Sequence, residues 1–342
     1  MSAKILDGKI VRDKIAEKLK KEILQAISSQ NLRPKLVIIQ VGDEPESNAY
    51  IRQKILFGEK IGAIVQHKKL AENTSQKDLL TMISELNSDP DCIGIIVQLP
   101  IPDKLDKGQI INKIDPIKDV DGQTATNLKL LFEGPSFRHP RPSVIPANAE
   151  IGVNSSEDQI LDQVENDKDN FGYLPATTKG ILTLLDHYKI PVSGKNITVI
   201  GRSSLVGKPT ALALVNLDAT VTICHSSTKK LPEKTKNADI LIVAAGKPNL
   251  ITKNHVSQNQ TVIDVGINAV NQNHLRGVGS FTSEVKSNKP ESELPSTRLV
   301  GDVDFAEVSK IVAAISPVPG GIGPMTVASL FENLLEAYNK QA

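Results

Sequence analysis

Residues 196–214 read NITVIGRSSLVGKPTALAL: an apolar run, a glycine-bearing turn and a helical pattern, in that order. A strand that feeds a helix through such a turn has the βα geometry that sets anionic groups at a helix N-terminus. Two phosphate-binding patterns are nevertheless absent. Gly201 and Gly207 are separated by five residues, not the four of GxxxxGK[ST], and Pro209 follows Lys208, so the nucleotide-triphosphatase pattern fails on spacing. GxGxxG is missing as well. By itself the stretch suits a structural turn carrying a lysine as well as a cofactor loop.

Outward from this stretch the same alternation continues. The pattern predicts helix 178–189, strand 196–201, helix 205–216, strands 219–224, 239–244 and 261–266, and a closing helix 324–339. The first half predicts helix 9–29, strand 35–41, helix 45–61, strand 63–68, helix 75–88 and strand 93–99. In helix 9–29, Ile10, Ile15, Leu19, Ile23 and Ile27 form one apolar stripe. Two α/β halves in 342 residues imply two domains. The expected architecture is two three-layer α/β domains around a cleft, the second Rossmann-like. Residues 1–133 with 324–342 form the first and 173–323 the second, joined by two crossings. Polar stretches 134–172 and 269–297 read as surface insertions.

Composition narrows the partners. Forty basic and 39 acidic residues leave a formal charge of +1, so no overall field draws the chain to nucleic acid or an anionic membrane. Trp is absent and aromatics are 3% of the chain, which removes the stacking platforms of a single-strand nucleic-acid binder. No apolar run approaches the ~20 residues needed to cross a bilayer, and the charged start MSAKILDGKIVRDKIAEKL is unlike a signal peptide, so a cytoplasmic protein is expected. Cys92 and Cys224 sit in apolar strand-like runs without metal-ligand spacing; two reduced core thiols and no metal site are expected.

Three segments carry chemistry. In VGDEPESNAYIRQKILFGEKIG a helix begins near Pro45, and Ser47, Tyr50 and Lys54 follow at i, i+3 and i+7. At about 100° per residue they fall within roughly 60° of one another. A solvated face and a cleft-lining face both satisfy that spacing. GIIVQLPIP places Gln98, Leu99 and Pro100 just beyond a buried-looking strand, where open α/β sheets bind ligands; a Gln there presents amide donors or simply ends the strand. In KDVDGQTATN, Asp119 and Asp121 precede Gly122, as in an Asx-type turn or a site.

SNAYIRQK, VQLPIP, KDVDG, GRSSLVGKP, DVGIN, GDVDF and PVPGGIGPMTVA, taken together and in this order, resemble the methylenetetrahydrofolate dehydrogenase/cyclohydrolase family over about 45–328, apart from the two insertions. The resemblance implies oxidation of 5,10-methylenetetrahydrofolate with NADP and hydrolysis of the methenyl product to 10-formyltetrahydrofolate, in one-carbon metabolism. It implies that Tyr50 packs against the pterin, that Lys54 is the central catalytic group of hydrolysis assisted by Gln98, and that Asp121 hydrogen-bonds the pterin ring, with Ser47, Leu99 and Pro100 beside them. Pro319, Gly320 and Gly321 are implied as a stiff wall of the folate site. For the cofactor it implies Gly201, Arg202, Ser203, Val206, Gly207, Pro209, His225 and Ser226, with Ala244, Ala245, Gly246 and Ile267 on the nicotinamide side. Arg202 suits bidentate phosphate capture and Ser226 stands where a 2′-phosphate is bound, which favours NADP over NAD. A tetrahydrofolate substrate and a homodimer are the implied partners.

The chemistry explains the residue types. Hydride loss leaves a cation spread over two nitrogens, so oxidation is a positioning task. Hydrolysis needs a titratable group, and a lysine serves only if burial lowers its pKa. The sequence departs from the family at Leu56, where a second lysine is usual, at Ala176 in place of a cysteine, and at Gln123-Thr124 in place of Phe-His. These changes bear on substrate binding or on the balance of the two activities. Retention of Lys54 argues against a dehydrogenase that has lost hydrolysis. Retention of both motif sets argues against a non-catalytic binding protein.

Overall fold

Leu36 and Ile38 alternate with Val37, Ile39 and Val41 along one strand, and all five are buried, so the strand is covered on both faces. The structure, a computed structural model, describes residues 2–30, 32–133, 172–271 and 297–341. Its residues separate into two compact units. One comprises Met1–Ile10 with Pro191–Met325, and the other Val11–Ile190 with Thr326–Ala342.

The second of these is built on a three-stranded parallel sheet. Strand β2 (Lys35–Val41) lies between β3 (Ile64–Leu70) and β4 (Gly94–Val97). On one face Leu36 and Ile38 join Ala16, Leu19 and Ile23 of helix α1 (Gly8–Gln30) and Phe331, Leu334 and Tyr338 of the last helix, Ile322–Gln341. On the other, Val37, Ile39 and Val41 pack with Leu79, Ile83 and Leu86 of helix α3 (Gln76–Ser88). Helix α2 (Pro45–Ile61) starts with proline at its first turn and ends at Gly62, whose φ of 89° lets its N–H reach back to the carbonyls of Gly58 and Glu59. The apolar face of α1 is set by Val11, Ala16, Leu19 and Ile23. Of the expected stripe, Leu19 and Ile23 are buried and Ile15 and Ile27 pack beside them, whereas Ile10 in the first turn is 52% exposed.

The other unit holds a six-stranded parallel sheet in the order β1-β11-β8-β7-β5-β6, made from β1 (Lys4–Ile5), β5 (Asn196–Ile200), β6 (Thr220–Cys224), β7 (Ile240–Val243), β8 (Thr261–Asp264) and β11 (Ala314–Ile315). Val199, Ile242 and Ile263 are wholly buried, as are Leu241, Val243 and Val262 facing the opposite way, which is the signature of a sheet with both faces covered. Both units are therefore α/β with parallel sheets, as expected.

The unit boundaries differ from those read off the sequence. Residues up to Ile10 belong with the six-stranded sheet because β1 pairs with β11, Lys4 opposite Ala314 and Ile5 opposite Ile315. Helix Ala176–His187 belongs with the three-stranded unit. The chain consequently passes between units three times, after Ile10, Ile190 and Met325, not twice. The stretch 269–297 is not all loop: β9 (Asn268–Asn271) and β10 (Thr297–Val300) pair antiparallel at its ends, while 272–296 lies outside the described residues, as does 134–171 of the other insertion. Both cysteines are free and buried, Cys224 ending β6 and Cys92 just ahead of β4. No helix among the described residues is long and apolar enough to cross a membrane.

Candidate active site

Lys54 is a lysine with 8% of its surface exposed, on a helix whose other charged residues are solvated. A buried ammonium needs a partner. It finds one at the carboxyl end of β4, where Lys54 Nζ donates to Gln98 Oε1 at 2.9 Å. Gln98 is held in turn by its own amide donor, which reaches the carbonyl of Leu99 at 2.9 Å. Ser47, buried one turn before Tyr50, donates to that same carbonyl at 3.4 Å. The helix face carrying Ser47, Tyr50 and Lys54 is thus turned toward the end of β4 and not toward water. Both ends of the Gln98 carboxamide are engaged, its oxygen with Lys54 and one of its two amide protons with the Leu99 carbonyl.

Burial holds the Lys54 pKa below the ordinary lysine value, and the charge of Asp121 opposes that shift without cancelling it. Burial likewise raises Asp121 to about 7; Lys54 pulls it down and Asp119 pushes it up. Tyr50 is half-buried, and its phenol is pushed up to about 12 by burial and by Glu46, so it stays neutral. Pro100 is exposed beside the half-buried Leu99.

The KDVDG turn divides its two carboxylates between two tasks. Asp119, 1% exposed, accepts from the Thr124 N–H at 2.7 Å and from Asn127 Nδ2 at 2.8 Å, which makes it the turn builder. The Asp121 carboxylate has no hydrogen-bond partner among the described residues and stays open to a ligand. Its backbone is fixed: Ala176 donates to the Asp121 carbonyl at 3.3 Å, and Gly122 has φ +67° with the backbone of Tyr173–Pro175 where a Cβ would stand.

The departures from the family sort by the same geometry. Leu56 is 49% exposed, so the missing second lysine removes charge from the solvated side of α2. Thr124 accepts from the Asn127 N–H through its hydroxyl, Gln123 reaches the Asp121 carbonyl at 3.5 Å, and Ala176 donates to it, so these three shape the wall behind Asp121.

In the six-stranded unit, β5 is followed by Gly201, whose φ is +118° and whose absent Cβ would strike the Ala244 carbonyl. A Cβ on Gly207 would strike the Gly201 carbonyl. The turn is therefore drawn tightly against the end of β7, as a dinucleotide turn requires. Its helix, Gly207–Val215, does not offer free amides, however. Ser203 Oγ accepts from the N–H groups of Val206 and Gly207 at 3.2 and 3.3 Å, Ser203 O accepts from Lys208, and Pro209 has no N–H. The exposed Arg202 guanidinium, unpartnered among the described residues, and the exposed Ser226 remain as anion donors. His225 Nδ1 accepts from the Ser227 N–H at 3.2 Å, so the ring is held by its own turn. These residues fit a phosphate-bearing dinucleotide through side chains and close backbone approach.

The strand ends β7 and β8 are organised by two acids that lie inside the GDVDF and DVGIN motifs. Asp302 of GDVDF, fully buried, accepts from the N–H groups of Ala245, Gly246 and Lys247 at 2.6, 2.9 and 2.8 Å and from Asn268 Nδ2 at 3.0 Å. Asp264 of DVGIN accepts from the N–H groups of Gly266, Asp302 and Val303 at 3.0, 3.0 and 2.9 Å. Ile267 follows directly, half-buried. Pro319, Gly320 and Gly321 lie in this unit also, where the Gly320 carbonyl accepts from the Gly8 N–H at 2.9 Å and Gly321 donates to Pro317. The sequence signal for Asp264 and Asp302 was a buried acid beside glycine, a place where a side chain replaces backbone pairing.

Comparison with known proteins matches the chain to the tetrahydrofolate dehydrogenase/cyclohydrolase catalytic domain over residues 6–121 and to the NAD(P)-binding domain of the same family over residues 175–342. It is 37% identical over 338 residues to the bifunctional protein FolD of Lactobacillus acidophilus, covering 99% of this chain and 98% of that one, and 39% identical to FolD 2 of Lactobacillus johnsonii with the same coverage. Among solved structures it resembles the bifunctional FolD methylenetetrahydrofolate dehydrogenase/cyclohydrolase of Campylobacter jejuni, with a TM-score of 0.79 and 36% identity over 100% of both chains. It also resembles the Trypanosoma brucei enzyme complexed with NADP cofactor and an inhibitor, with a TM-score of 0.80 and 29% identity over 99% of this chain and 98% of that one.

Proposed function

The chain belongs to the tetrahydrofolate dehydrogenase/cyclohydrolase family, and from that premise we propose how its residues carry out the two steps. It oxidises 5,10-methylenetetrahydrofolate to 5,10-methenyltetrahydrofolate with NADP and hydrolyses the product to 10-formyltetrahydrofolate. The observation that carries the residue assignment is the buried Lys54, bonded to Gln98 and coupled electrostatically to Asp121.

For the oxidation, Tyr50 packs on the pterin and Asp121, without a protein donor among the described residues, accepts from its amino and ring N–H groups, while Ser47, Leu99 and Pro100 close the wall. NADP supplies the hydride acceptor when bound. Arg202 and Ser226 hold its phosphate end, His225 and the Gly201–Ser203–Val206–Gly207–Pro209 turn line its path, and Ala245, Gly246 and Ile267 meet the nicotinamide side, with their loop stiffened by Asp302. For hydrolysis, Lys54 with its lowered pKa takes one proton of the water that adds to the cationic carbon and returns it to the departing nitrogen; as that C–N bond breaks, the added hydroxyl becomes the formyl carbonyl and its proton leaves to solvent. Gln98 holds the Lys54 nitrogen in place. A homodimer in the cytoplasm is part of the same proposal; two free buried thiols and the exposed Ile223 on edge strand β6 support it.

The test follows reduced cofactor and methenyl product together under anaerobic conditions with methylenetetrahydrofolate and NADP, for the native protein and Lys54→Met. Reduced cofactor without methenyl build-up in the native protein, and build-up in the variant, is the expected result. Equal build-up in both removes Lys54 from hydrolysis.

A further inference from the structure

We propose that Asn333, on the last helix, is a positioning residue for Asp121, clamping the KDVDG turn to the Tyr173–Pro175 segment through a single carboxamide. Asn333 is fully buried. Its Nδ2 donates to the carbonyl of Val120 at 2.9 Å and to the carbonyl of Leu174 at 2.9 Å, one from each segment. Two carbonyl oxygens converging on one buried point repel each other, and a planar fork with two protons satisfies both. The fork is oriented from its other end, where Lys179 Nζ donates to Asn333 Oδ1 at 2.9 Å while also pairing with Glu336. The amide therefore has one arrangement that satisfies every group around it.

The consequence falls on Asp121. Val120 precedes it, Gly122 follows it tight against Tyr173–Pro175, and Ala176 donates to its carbonyl, so the clamp grips the backbone on both sides of the acid. A carboxylate with its own protein donors is aimed by them. Asp121 has none among the described residues, so its aim is inherited from the backbone that Asn333 holds. Asn127 braces the same junction, receiving the Tyr173 N–H at 3.4 Å and donating to Asp119. Asn333 touches no reacting atom in this scheme; it acts through Asp121. The inference rests on the reading of Asp121 as the pterin anchor.

The experiment measures steady-state constants for methylenetetrahydrofolate and NADP, and the pH profile of kcat/KM, in Asn333→Asp, Lys179→Met and Asp121→Asn. Asn333→Asp keeps size and an acceptor for Lys179 but turns oxygens toward both carbonyls. It is expected to raise the folate KM about tenfold, leave the NADP KM within about twofold, and displace the acid limb of the pH profile. Lys179→Met, at a partly exposed site, keeps the fork but frees its orientation, and is expected to raise the folate KM about threefold with the NADP KM unchanged. This second variant decides the matter should Asn333→Asp not fold. If Asp121→Asn leaves the folate KM unaltered, the anchor reading falls and the inference with it. If Asp121→Asn raises it while Asn333→Asp and Lys179→Met do not, or raise both KM values equally, Asn333 is a packing residue and the clamp is refuted.

Discussion

Two acids at strand or turn ends, Asp121 in the three-stranded unit and Asp264 in the six-stranded unit, are both raised to about 7 by burial, yet they stand in opposite chemical situations. Asp264 accepts three backbone N–H groups and Asp302 beside it accepts four donors in all. Asp121 accepts none among the described residues. A perturbed pKa marks burial in both cases and therefore does not separate a functional acid from a structural one. Saturation of the lone pairs does. A filled carboxylate holds its own protein together, and an unfilled one whose pKa is raised alike is ready for donors brought by a ligand.

The contrast breaks most visibly at Lys54. Lys54→Met should cut hydrolysis by roughly 10²–10⁴-fold, while equilibrium unfolding in denaturant stays as stable as the native protein or gains, because an apolar chain replaces a desolvated cation. A large loss of stability in that variant would mean the cluster is structural after all. Asp302→Ala should do the reverse, losing about 3 kcal/mol in the same unfolding measurement by leaving three backbone N–H groups and the Asn268 amide without their acceptor. Gly201→Ala comes next, with a loss of about 1–3 kcal/mol from the positive φ and the Ala244 carbonyl, and with weaker NADP binding but unchanged folate binding by calorimetry.

The smallest effect is the sharpest discriminator. An acid whose folded pKa is about 7 holds its proton where the unfolded chain has already lost it, so the folded state binds more protons between about pH 4 and 7 and stability falls as pH rises through that window. Both Asp121 and Asp264 contribute to this slope. Saturating folate should flatten the Asp121 share, since donors to the carboxylate favour its charged form, and Asp264→Asn should remove the other share with or without ligand. A slope indifferent to folate would separate Asp121 from the substrate. Lys54 acts in a different window: its lowered pKa makes the unfolded state the greater proton binder from the folded value up to the ordinary one, so stability rises with pH there.

Much of this was legible along the chain because the signals are local. Helix α2 was expected at 45–61 and stands at Pro45–Ile61, and β2 was expected at 35–41 and stands at Lys35–Val41, since periodicity, Pro45 and Gly62 all lie within the element they define. The common face of Ser47, Tyr50 and Lys54 followed from helical spacing, but whether it faced water did not. Beyond such elements the signal thins. A two-residue strand such as β1 carries no period, and it joined the six-stranded sheet only through β11, near the other end of the chain.

The amino-acid sequence by itself determined the alternation of strands and helices, the glycine turn at Gly201 and the family motifs, all properties of residues a few positions apart. Tertiary structure alone decided that Lys54 is buried on Gln98, that Asp119 builds the turn while Asp121 is left open, and that Asn333, 213 residues from Val120, joins two backbone segments. Burial and hydrogen-bond saturation depend on which distant groups the fold brings within about 3 Å, and no spacing along the chain encodes that.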